Sequence, residues 1–128
     1  MQEPAVFQYA PIWPYFRDGE AILYNPILQK VLNSDAQLGY HGVPQMPMFV
    51  YKAIHDEATP IASTDALVDR WCGVGVQVLY KRLTTGGHGD GAANGDVHAM
   101  EWLKAVFDGT REMEYAANGC RAENVTWG

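Results

Sequence analysis

The sequence predicts an α/β fold of parallel strands flanked by helices, and three observations predict it. Two short apolar runs of strand character, at 48–54 and 76–81, are separated by a stretch with helical spacing. A second helical stretch follows the second run, giving strand, helix, strand, helix, the alternation that builds a parallel sheet with crossover helices. With 48% apolar and 19% charged residues, 128 residues suffice for one domain with a sizeable core.

The elements follow in order. Residues 1–19 are rich in aromatics and prolines (Tyr9, Pro11, Trp13, Pro14, Tyr15, Phe16) and read as an irregular apolar covering segment. Ile22, Leu23, Ile27, Leu28, Val31 and Leu32 recur at helical spacing, and Asn25-Pro26 suits a helix start, so a helix is expected near 25–33. Gly39, Gly42, Pro44 and Pro47 make 37–47 a connector. Met48-Phe49-Val50-Tyr51 begins the first strand, and the polar His55-Asp56-Glu57 follows its end. Ser63, Thr64 or Asp65 is expected to cap a helix that carries Ala66, Leu67, Val68, Trp71 and Cys72 and stops at Gly73 or Gly75. In the second strand Val76, Val78 and Tyr80 alternate with Gln77, Leu79 and Lys81, and a glycine-rich loop at 84–91 comes next. Asn94 or Asp96 is expected to cap a last helix, with Ala99, Met100, Leu103, Val106 and Phe107 as its apolar face and Gly109 as its stop. The expected organisation is a segment 1–47 with one helix, an α/β segment 48–120 and a tail 121–128.

A formal net charge of -6 gives no basic surface for phosphate contacts, which argues against nucleic acid as a partner. No apolar run approaches the roughly 18 residues of a spanning helix, and Met1-Gln2-Glu3-Pro4 lacks the basic and apolar regions of a signal peptide, so neither anchoring nor targeting is expected from this stretch. Cys72 and Cys120 lie 48 residues apart, which excludes a local C-x-x-C pattern and leaves a tertiary disulfide or two free thiols. Asn124-Val125-Thr126 is a glycosylation sequon and tilts the choice toward an oxidising, secreted setting.

In open α/β sheets functional groups collect beyond the carboxyl ends of the strands. Asp56 follows one predicted strand and His88 the next. A serine enzyme needs a histidine to take the hydroxyl proton and a carboxylate to hold the imidazole, so these two are the candidate catalytic acid and base. His55, Glu57 and His98 are expected to be bystanders, and His41 has no evident partner. His88, Asp90, Asp96 and His98 could alternatively be read as metal ligands, although their spacing matches no established zinc or calcium pattern. Gly86-Gly87-His88-Gly89-Asp90-Gly91 lacks the lysine and hydroxyl residue of a phosphate loop, and no cofactor is expected.

From Tyr51-Lys52-Ala53-Ile54-His55-Asp56-Glu57-Ala58-Thr59-Pro60 through Thr64-Asp65-Ala66-Leu67-Val68-Asp69-Arg70-Trp71-Cys72, the chain resembles the fungal secretory lipases of the Candida lipase A type. The likeness continues through Gly86-Gly87-His88-Gly89, Glu101-Trp102-Leu103 and Phe107-Asp108-Gly109 to Gly119-Cys120. It implies the C-terminal part of an α/β-hydrolase fold, preceded by a segment resembling the end of a helical cap. It also implies a secreted lipase or esterase acting on triacylglycerols and other acyl esters, with contact to a lipid–water interface, Asp56 as triad acid, His88 as triad base and a Cys72–Cys120 disulfide. Family members carry their nucleophile in an upstream Gly-x-Ser-x-Gly elbow. Here Ser34 and Ser63 are the only serines and neither sits in one, so an N-terminal hydrolase part is expected to be missing, and the chain alone is expected to be inactive. An inactive hydrolase remnant and a small ligand- or metal-binding domain are the alternatives.

Overall fold

The computed structural model describes residues 13–36, 38–110 and 119–127. The expectations for residues 1–12, for Gln37 at the head of the connector and for Gly128 lie outside the described residues. Two compact units result, Met1–Tyr40 and His41–Gly128.

In the first unit, 3-10 turns at Trp13–Tyr15 and Gly19–Tyr24 precede helix α1, Pro26–Val31. The Asn25 side chain accepts the N–H groups of Ile27 (3.0 Å) and Leu28 (3.1 Å), and Pro26 occupies a first-turn position where its missing donor costs nothing. A wider π turn, Leu32–Ala36, continues the helix past its expected end. None of these elements has a buried residue.

The second unit is built on strands β1 (Met48–Ala53), β2 (Val78–Leu83) and β3 (Cys120–Val125), all parallel, in the order β1-β2-β3. Helix α2 (Ile61–Gly73) follows β1, and helix α3 (His88–Phe107) follows β2. The register pairs Met48 with Val78 and Ala53 with Leu83, so β1 and β2 end level with each other. On one face, Val68 and Trp71 of α2 pack with Val76, Val78 and Tyr80, joined by Met48 and Val50. The alternate residues of β1 face α3: Phe49 meets Trp102 with ring centroids 5.6 Å apart, and Tyr51 and Ala53 lie against Gly95 and Gly91. The helices therefore cover opposite faces of the sheet. Among the described residues, no helix is long and apolar enough to cross a membrane.

Four expectations are corrected. The fold does not end at Cys120: residues of the expected tail form β3, an edge strand whose Glu123 pairs with Lys81 and with Arg121 (3.1 Å). β2 begins two residues later than expected, at Val78, and it does not alternate: Val78, Leu79 and Tyr80 are all buried, as in a central strand covered on both faces. α2 starts at Ile61 with no side-chain cap, and Asp65 instead accepts the Tyr80 hydroxyl (2.8 Å) and pairs with Arg82 (3.2 Å). α3 starts at His88 rather than near Asn94, so half of the glycine-rich loop is helix.

Those helical glycines let α3 approach the sheet. A Cβ on Gly95 would stand 2.0 Å from the Tyr51 ring, far inside contact distance. Helix propensity alone would make Gly95→Ala stabilising by about 1 kcal/mol. The overlap reverses the sign, and we expect a net loss of about 3 kcal/mol in urea unfolding. A variant as stable as the parent would contradict this packing.

Cys72, near the end of α2, is bonded to Cys120 at the start of β3, with Cα atoms 5.8 Å apart. Asn124 is exposed on β3 beside Arg82, and the hydroxyl of Thr126 lies 2.8 Å from that of Thr84.

Candidate active site at the carboxyl ends of two strands

The chain leaves β1 at Ala53 and enters a tight turn carrying Asp56. Carboxylate Oδ1 accepts the N–H groups of Ala58 (2.9 Å) and Thr59 (2.7 Å), a local turn closure that aspartate makes readily. Oδ2 lies 2.9 Å from Nδ1 of His88, and it also accepts the Thr59 hydroxyl (3.2 Å) and the Lys52 ammonium. The Asp56 side chain is only 4% exposed, whereas that of His88 is 56% exposed.

His88 is held by its backbone as well as by its ring. The left-handed φ of Gly86 (+77°) turns the chain into α3, and a Cβ there would stand 2.5 Å from that of Asp90. Asp90 accepts the Gly87 N–H (3.2 Å), and Glu57 accepts the His88 N–H (3.0 Å) across from the acid loop. Both carboxylates thus satisfy orphan donors at the positive end of the helix. Glu57, expected to be a bystander, instead ties the acid loop to the histidine's backbone. A cavity of about 150 Å³ opens here, lined by Tyr51, Lys52, Ala53, Asp56, His88, Gly91 and Ala92.

Burial opposes the charge on Asp56, but the hydrogen bonds from Lys52, the Thr59 N–H, His88 and the Ala58 N–H outweigh it and hold the carboxyl well below its ordinary range. Glu57 is lowered by its own backbone N–H and that of His88. With Asp56 ionised, Nδ1 of a neutral His88 carries the proton and Nε2 presents its lone pair, which meets no partner among the described residues. The arrangement can orient an imidazole, stabilise positive charge on it and accept a proton at its outer nitrogen.

Because the folded-state value of Asp56 lies below its unfolded value of about 3.9, its contribution to stability is fully present above that pH. It is lost as pH falls through the folded value. Asp56→Asn should flatten the acid branch of a stability–pH curve measured by urea unfolding, and an unchanged branch would refute this.

The other candidates disperse. His41 and His55 are exposed, and His98 stacks on Trp127 (4.0 Å) and lies 3.5 Å from Glu101. Asp96 accepts the Tyr51 hydroxyl, whose ionisation it hinders. Among the described residues, no three His, Cys, Asp or Glu side chains converge as a metal site, so the four residues of the metal alternative do not meet. Lys52 and Thr59 were not singled out by the sequence. Their only signal was their place just before and just after Asp56.

Residues 9–114 match the family model described as Secretory lipase. The chain is 43% identical over 112 residues to a trichothecene C-3 esterase of Fusarium sporotrichioides, covering 88% of this chain and 25% of that protein. It is 42% identical over 117 residues to a probable trichothecene esterase of Stachybotrys chartarum (90% and 23%), and 32% identical over 121 residues to Lipase A of Arthroderma benhamiae (93% and 24%). It spans about a quarter of the length of these relatives. The crystal structure of Candida antarctica lipase A in its closed state matches with a TM-score of 0.68 at 20% identity, over 91% of this chain and 30% of that one, which establishes the α/β-hydrolase fold of the segment. With the family model matched over most of its length, the chain belongs to the secretory lipase family.

Proposed function

We propose that this chain supplies the acid and base of a Ser-His-Asp triad that hydrolyses carboxylic esters, with Asp56 as acid and His88 as base. The observation that carries the reading is the 2.9 Å contact between them at the carboxyl ends of adjacent parallel strands, with Nε2 left for chemistry. Nε2 takes the proton of a serine hydroxyl as its oxygen attacks the ester carbonyl. The proton then passes to the departing alcohol, and water repeats the cycle on the acyl-enzyme.

The nucleophile belongs to sequence outside these 128 residues. Ser34 donates its hydroxyl to the Val31 carbonyl (3.1 Å) inside the π turn, and Ser63 lies in the first turn of α2; neither forms a strand-turn-helix elbow. The oxyanion donors come from the same missing part. The 128-residue chain alone is therefore inactive. Phosphonate-sensitive turnover of a short-chain nitrophenyl ester by the purified chain would sink this reading.

For the substrate, identity favours a trichothecene ester over a triacylglycerol, because the relatives named as trichothecene esterases share more residues with this chain than Lipase A does. Comparing kcat/KM of the intact enzyme on an acetylated trichothecene and on a triacylglycerol separates the two. Exposed Leu23, Tyr24, Ile27, Val31 and Leu32 of the first unit suit contact with acyl chains or a lipid–water interface. The disulfide and the exposed Asn124 sequon suit an extracellular enzyme glycosylated on β3.

A further inference from the structure

The carboxylate that orients His88 is shared with a cation. Oδ2 of Asp56 receives Nδ1 of His88, the hydroxyl of Thr59 and the ammonium of Lys52, and that ammonium also reaches the Thr59 hydroxyl. Lys52 is the penultimate residue of β1, and its side chain is only 13% exposed. Orienting an imidazole does not require this: two backbone N–H groups already fix Oδ1. Taking an ammonium out of water has a cost that the orienting role alone does not explain. Hydrogen bonds from Nζ and Nδ1 to one oxygen keep those nitrogens within about 6 Å of each other, where a fixed cation opposes a second one.

We propose that Lys52 is a positioning residue of the ester-hydrolysing site, acting through Oδ2 of Asp56 to offset the carboxylate's pull on the positive charge that His88 takes up. The inference rests on the reading of Asp56 and His88 as triad partners. It gives the site a device for returning the proton: the carboxylate steadies the imidazolium while serine attacks, and the ammonium keeps that stabilisation from becoming a trap before the alcohol leaves. Among the described residues that line the cavity, Lys52 is the one lysine or arginine. Tyr51 and Lys52 from β1 and Asp56 from the acid loop line the cavity with His88, Glu57 accepts the His88 N–H, Asp90 of α3 accepts the neighbouring Gly87 N–H, and Asp96 is tied to Tyr51. Without Lys52, carboxylates dominate the environment of the imidazole.

The test is the pH dependence of kcat/KM for the intact enzyme and its Lys52→Met, Lys52→Arg, Thr59→Val and His88→Ala variants. Lys52→Met should move the acid limb upward by about one pH unit, which lowers kcat/KM about tenfold on that limb. Lys52→Arg, which keeps a cation, should restore the parental limb. Thr59→Val, which removes the hydroxyl that steadies the ammonium, should shift the limb the same way by less and serves if Lys52→Met does not fold. An acid limb unmoved in the folded members of the Met and Val pair overturns the role of Lys52. Full turnover in His88→Ala overturns the triad reading instead, so the two failures are distinguishable.

Discussion

In the intact enzyme, His88→Ala should lower kcat by about six orders of magnitude and Asp56→Asn by about four, with KM little changed in both. Removing the imidazole removes the group that takes the serine proton and returns it to the alcohol. Asparagine at position 56 can still accept the Ala58 and Thr59 N–H groups, so the turn survives. Its amide cannot stabilise an imidazolium, and an NH₂ facing Nδ1 favours the wrong tautomer. His98→Ala is the control, since His98 stacks on Trp127 and makes no contact with Asp56 or His88 in the described structure. Glu57→Gln is not a neutral control, because Glu57 holds the backbone of His88. Steady-state kinetics normalised to titrated active sites provides the measurement, and a His88→Ala enzyme within tenfold of the parent would end the assignment.

Replacing both Cys72 and Cys120 by alanine should cost about 4 kcal/mol, the chain-entropy value for a loop of this size. The effect should concentrate on β3, which among the described residues pairs with β2 alone and exposes Arg121, Ala122 and Asn124. Urea unfolding reads the total loss, and amide exchange at 120–125 reads its location. A double variant with parental stability and parental protection of β3 would show that the bridge contributes nothing.

The sequence made the first strand and the chemistry after it legible, because a compact apolar run bounded by Pro47 and by His55-Asp56-Glu57 leaves few alternatives. It concealed β3 because an edge strand carrying Arg121, Glu123 and Asn124 has neither the apolar run nor the alternation of a buried one. The early start of α3 was hidden by Gly89, Gly91 and Gly95, whose low helix propensity reads as loop. Tertiary packing against Ala53 and Tyr51 demands two of them. Asp56 and His88 stood out because topology sets strand ends side by side. Lys52 and Glu57 did not, since nothing in a linear chain says that a strand lysine and a loop glutamate will converge on one histidine.

The level ends of β1 and β2 also determine where the gene can change length. Two residues lie between Ala53 and Asp56 and four between Leu83 and His88, and both spans are tied down by hydrogen bonds, so an insertion in either would pull acid and base apart. The rest of the 32-residue interval lies in the α2 crossover, whose exposed turn around Val74 and Gly75 sits at the opposite end of the sheet. Insertions and deletions in descendants of this gene should therefore accumulate at that turn and spare the two short spans, giving relatives whose Asp–His interval varies while the pair itself stays in register.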